Sequence, residues 1–103
     1  MHGSRKHMEQ ILIVKWKIKE SETSRILKLL PELAEKTRSE EGNTSYTIYQ
    51  SQSDRSELIL CEHYTDAAAA EAHRRSKHYQ SIVAEAIIPH LESREVIAVK
   101  QLV

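Results

Sequence analysis

The 103-residue chain has one cysteine, two glycines, two prolines and no excess charge of either sign. Each scarcity removes a class of protein. A single thiol, Cys61, forbids an intrachain disulfide and fits a reducing compartment. So few glycines and prolines argue against a disordered or low-complexity chain, and no internal repeat is present. No apolar run approaches the ~18–20 residues of a membrane span and no secretory leader is visible, so a soluble, cytoplasmic protein is expected. The 15 basic residues match the 15 acidic ones. The opening MHGSRKHM reads as an appended leader with Met8 as the natural start, so residues 1–7 are set apart from one domain over 8–103. Without them 13 basic residues remain, roughly −2 overall, and His2 and His7 leave the pool of candidate functional histidines. That balance offers no field for nucleic acid or an anionic membrane.

What is present is well patterned. Residues 9–20 alternate, with Leu12, Val14, Trp16 and Ile18 on one face and Lys15, Lys17 and Lys19 on the other, which predicts a strand. Ile11 and Ile13 make the second face apolar at its start. Over 21–42 the spacing becomes helical through Ile26, Leu30, Leu33 and Thr37, with Ser21 or Thr23 as cap and Gly42 as stop. Pro31 inside this pattern predicts a kink near Leu27–Pro31. Residues 43–51 and 57–65 read as a hairpin about the turn at 53–56. Asp66 caps an alanine-rich helix that breaks at Ser76, restarts and ends before Pro89, and a last strand covers 93–103. The order β-α-β-β-α-β predicts an α+β, ferredoxin-like antiparallel sheet with helices on one face. Its other face would expose Ile11, Ile13, Ile59 and Cys61, and a second copy packed sheet to sheet would cover them. A chain this small buries only ~60–65% of its surface alone, which also favours a homodimer.

Chemistry has few places to reside. The stretch EAHRRSKHYQ (71–80) holds His73, Arg74, Arg75, Lys77 and His78. Five residues turn ~140° about a straight helix, so His73 and His78 are expected to face apart, and no metal site is expected. Arg74, Arg75 and Lys77 suit the C-terminal end of a helix dipole, with Arg74 available to an anionic substrate group. Without an aromatic stacking platform they are a poor nucleic-acid footprint. On the 57–65 strand, Glu62 and Tyr64 share a face with Leu58 and Leu60, whereas His63 alternates to the opposite face. A carboxylate on an apolar face needs a donor or a proton, and His73 is the candidate donor. Such a pair makes an oriented general base. Cys61 reads as an apolar strand residue. Tyr46 and Tyr49 lie on opposite faces of their strand, and which one faces inward is left open.

The spaced set Glu62, Tyr64, Asp66, His73, Ser76, His78 and Tyr79, within EHYTD and AHRRSKHY and preceded by EEGNTSYTIYQS, resembles the antibiotic biosynthesis monooxygenase domain family. The likeness runs from the first strand to about Val83. It implies a dimeric α/β barrel with a pocket in each subunit between sheet and helices. It further implies cofactor-free oxidation of an aromatic or quinol-like compound by dioxygen. In that reading His73, Glu62 and Tyr64 are catalytic, with Tyr64 as hydroxyl donor. Trp16, His78 and Arg74 contact the substrate, and neither metal nor cofactor takes part. The same base would serve an isomerase acting on a small, phosphorylated carbonyl compound, and a non-catalytic ligand-binding barrel is the third reading. Haem-degrading relatives carry an asparagine on the first strand and a tryptophan where Tyr64 stands. Val14 and Tyr64 depart from both.

Overall fold

The computed structural model describes residues 8–103, and the expected leader at 1–7 lies outside them. Four strands, β1 (Gln10–Ile18), β2 (Asn43–Gln50), β3 (Glu57–Tyr64) and β4 (Leu91–Val99), form one antiparallel sheet ordered β2-β3-β1-β4. The helices are α1 (Thr23–Leu27), α2 (Leu30–Arg38), α3 (Ala67–Arg75) and α4 (Tyr79–Ile87). This is the ferredoxin-like order the pattern predicts, with the first and third strands central.

Alternation along β1 does what period-two geometry requires. Val14, Trp16 and Ile18 turn inward, beside Leu58 and Leu60 of β3, and bury against Ile26, Leu33, Val83 and Ile87 from the helices. Burying each large aliphatic side chain contributes about 1.5–3 kcal/mol, so this seam dominates the stability of the layer.

The first helical segment breaks at Lys28–Leu29, and Pro31 sits in the first turn of α2, where its missing N–H costs nothing. Neither Ser21 nor Thr23 caps it. The Thr23 hydroxyl is buried and meets the Ser56 hydroxyl at 2.7 Å, tying helix to hairpin. Nor does Gly42 stop α2, which ends at Arg38 with Ser39 beyond it. Gly42 serves a close approach instead: a Cβ there would lie 2.3 Å from Ala69 Cβ in α3, and the Gly42 carbonyl accepts from Thr65 N.

Asp66 caps α3 by accepting from Ala69 N at 2.8 Å. Ser76 is extended and ends the helix. Its hydroxyl donates to the His73 carbonyl at 2.6 Å and accepts from Tyr79 N at 3.1 Å, serving both sides of the break. Beyond it α4 is wound as a π-helix, wider than the ordinary helix expected. The final strand starts at Leu91 and ends at Val99, earlier at both ends than the expected 93–103.

The back of the sheet carries Ile13 opposite Cys61 and Ile97, and Ile11 opposite His63 and Val99. Val96, Ile97 and Val99 are large exposed apolar residues on β4. Among the described residues no helix is long and apolar enough to cross a membrane.

The Gly42–Ala69 contact yields a stability prediction. Gly42→Ala destabilises by about 1–3 kcal/mol, as overpacking does. In an Ala69→Gly background the same change costs much less. Urea unfolding of the four proteins measures the coupling.

Candidate functional site

Between the inner face of the sheet and the α3–α4 pair lies a cavity of about 50 Å³, open on one side. Leu12, Val14 and Trp16 of β1 supply its apolar floor, with Val83 from α4 and Val96 from β4. Its polar wall is Tyr46, Glu62, His73 and Tyr79, and Arg74 and Arg94 stand at its exposed side. The pleat explains the grouping, because β3 pairs Glu62 with Leu12 on one side and with Tyr46 on the other. Tyr46 is buried, whereas Tyr49 is exposed on the opposite face, which answers the question the sequence left open.

His73 is 4% exposed at the last turn of α3, ringed by Tyr46, Tyr64, Tyr79 and His78 at centroid distances of 5.1–6.0 Å. Its expected partner was Glu62, but the separation from Nε2 to Glu62 Oε1 is 4.0 Å, too long for a hydrogen bond. The carboxylate it bonds is Glu40, at 2.7 Å from Nδ1. Glu40 Oε2 also meets His78 Nε2 at 2.5 Å. A carboxylate only accepts, so His73 donates through Nδ1 and His78 through Nε2. The His73 tautomer is thereby set, with the Nε2 lone pair on the side of Glu62 and the cavity.

Three sequence expectations need correction. His73 and His78 do not face apart, because the extended Ser76 takes the chain off the straight-helix path and both imidazoles converge on Glu40. Their donor atoms and the Glu40 oxygen lie within 4.8 Å of one another, so the group has the composition of a metal-binding set, which spacing alone argued against. His78 therefore does not contact the cavity; it holds Glu40. Tyr64 is wholly buried, does not line the cavity and donates its hydroxyl to Glu62 Oε1 at 2.8 Å. Glu40 is the residue of this cluster that the sequence reading missed. It lies 33 positions before His73 in a loop, with no local pattern to mark it.

Burial pushes the Glu62 carboxyl above the ordinary carboxylate range, against the opposing pull of the Tyr64 hydroxyl and of His73. Burial and the neighbouring Glu62 carboxylate push the Tyr64 phenol far up, so it remains a protonated donor. Burial does the same to Tyr46. The arrangement is one locked imidazole and one buried carboxyl on a hydrocarbon-lined hollow, equipment for taking a proton from a weakly acidic ligand.

Comparison with known proteins agrees with this architecture. Residues 10–85 match the family model described as antibiotic biosynthesis monooxygenase, and the chain belongs to that family. It is 28% identical over 69 residues to the Bacillus subtilis "Putative monooxygenase YcnE", covering 67% of this chain and 73% of that protein. It is 43% identical over 51 residues to the Mycobacterium tuberculosis protein Rv0793, half of each chain. The Rv0793 structure superposes with a TM-score of 0.82 at 28% identity, covering 91% of this chain and 95% of that one. A crystal structure of an antibiotic biosynthesis monooxygenase superposes with a TM-score of 0.85 at 26% identity, covering 90% and 98%.

The raised Glu62 carboxyl yields a pH prediction. The folded state holds this proton more tightly than the unfolded chain, so its contribution is fullest below the ordinary glutamate value. It is lost as pH rises through the raised one. Glu62→Gln removes that loss. The stability of the variant relative to the natural chain is expected to rise from acid to neutral pH, at about 1.4 kcal/mol per unit by which the carboxyl is raised. Urea unfolding of both proteins across that range measures the difference.

Proposed function

We propose that the chain is a small, cofactor-independent monooxygenase that oxidises an aromatic or quinol-like hydroxyl compound with dioxygen, in the reducing cytoplasm. The observation that carries this reading is the Glu40-locked His73, whose free Nε2 lies toward Glu62 and an apolar cavity. Family membership supports the reaction class.

A phenol passes an electron to dioxygen readily only after losing its proton. His73 Nε2 accepts that proton, and the Glu40 carboxylate stabilises the imidazolium that forms. Glu62, supported by Tyr64, holds the substrate oxygen from the sheet side. The hydrocarbon floor of Leu12, Val14 and Val83 keeps water from the ring. With hydroquinone the step balances as hydroquinone plus dioxygen giving hydroxybenzoquinone plus water. One oxygen atom enters the ring, and the ring supplies the electrons that reduce the other. Arg74, the residue expected to meet an anionic group in the isomerase reading, is paired to Glu71 at 2.5 Å.

The working unit in this reading is a homodimer, in which a second copy covers Ile13, Cys61, Ile97 and Val99 on the back of the sheet. Equilibrium sedimentation is expected to give a dimer at micromolar concentration and a monomer for Ile97→Asp. A monomeric natural chain removes the dimer.

Oxygen uptake with hydroquinone, measured above the buffer blank in flavin-free, metal-free solution, tests the activity. His73→Ala should slow it at least about tenfold, a conservative bound beside the ~10²–10⁴-fold that a general base supplies. Glu40→Ala should lower kcat with little change in KM, since Glu40 positions the base without touching substrate. Uptake unchanged in His73→Ala removes His73 from the chemistry.

A further inference from the structure

The cavity has a second polar end that the base does not use. Trp16 is 3% exposed, yet its indole Nε1 has no hydrogen-bond partner among the described residues. Native structures leave few buried N–H groups unsatisfied, because each forfeits the bond it made with water. An orphaned donor on the wall of a cavity points to an acceptor that arrives with a ligand. Directly across the β1–β4 pairing from Trp16 stands Arg94, on the same face of the sheet and also lining the cavity. Opposed side chains in an antiparallel pair start only ~4.5–5.5 Å apart at Cβ, so one small group can reach both. Among the described residues Arg94 enters no ion pair and no side-chain hydrogen bond, in contrast to Arg74 at the same mouth.

We propose that the Trp16 indole N–H and the Arg94 guanidinium form a carboxylate subsite, which makes the substrate an acidic hydroxyarene. The hydroxyl end of that description rests on the monooxygenase reading; the carboxylate end does not. Charge sets the orientation. Arg94 attracts an anion, while the Glu40 carboxylate behind His73 repels one, so the ligand enters with its hydroxyl toward His73. A planar carboxylate suits a guanidinium fork, and the indole N–H adds a third donor. Scale agrees too. Glu62 pairs with Leu12, four residues along β1 from Trp16, or about 13 Å of strand. A hydroxyl-bearing ring with a short acid arm and a hydrogen bond at each end covers about that distance.

The test uses 2,5-dihydroxyphenylacetate and hydroquinone under anaerobic conditions. Trp16 is the only tryptophan, so the chain gives one indole N–H resonance in a proton–nitrogen spectrum. The acid is expected to move that resonance downfield and to bind at least about tenfold tighter than hydroquinone, the factor one charge-assisted bond supplies. Arg94→Gln should abolish most of this preference while leaving hydroquinone affinity within about twofold, and Arg94→Lys should keep part of it. Equal affinities, no binding of the acid at millimolar concentration, an unmoved indole resonance or an indifferent Arg94→Gln each overturn the subsite. Binding needs no oxygen, so the two ideas fail separately. Acid preference without oxygen uptake removes only the monooxygenase reading, and uptake without acid preference removes only the subsite.

Discussion

The site depends on one carboxylate oxygen. Glu40 Oε2 receives His73 from the end of one helix and His78 from the far side of the Ser76 break. Removing it would leave two imidazole N–H groups on partly or fully buried rings without an acceptor. It would also leave the His73 tautomer unspecified. Each such loss costs about 1–3 kcal/mol in a buried setting. The price of this arrangement is a chain that must stop being an α-helix at Ser76, and the serine hydroxyl makes that break tolerable by bonding on both sides of it.

The sheet carries the complementary half. Glu62 stands on a strand face otherwise made of Leu58 and Leu60, and it is tolerated there because Tyr64, two residues along and on the same face, donates to it. Burial raises Glu62 above the ordinary carboxylate range, while Glu40 holds His73 by Nδ1 and leaves Nε2 on the cavity side. Two carboxylates thus take different parts from their surroundings alone. One is sealed against hydrocarbon, which raises its pKa; the other sits nearer solvent and accepts from both imidazoles.

Much of this was legible before any coordinates. Period-two alternation in residues 9–20 and 57–65 gave the inner faces of β1 and β3, including Trp16 and Glu62, because an alternating strand has only two sides to choose between. Asp66 and Ser76 announced their caps by residue type and position. What stayed hidden was non-local. Nothing around Glu40 separates it from Glu41 or Glu35, and only the packing of a loop against two helix ends brings it to His73 and His78. Tyr64 was assigned to the correct face, but its bond to Glu62 was not read, because face is a property of the strand and partner a property of side-chain reach. Arg94 went unnoticed for a similar reason: a lone arginine on a C-terminal strand acquires meaning only from the register that sets it opposite Trp16.

That register also couples the two ends of the argument through β4. The strand lies at the sheet edge, with Arg94 and Val96 on the cavity side and Ile97 and Val99 on the back. Adjacent residues point to opposite faces and cannot slip independently, since a shift of one position exchanges the two sets. If a second copy packs against Ile97 and Val99, it holds β4 in the register that keeps Arg94 facing Trp16. Assembly and ligand selection would then be two readings of one strand placement. An edge strand alone is the least constrained element of a sheet, and one that positions a recognition group gains most from being covered.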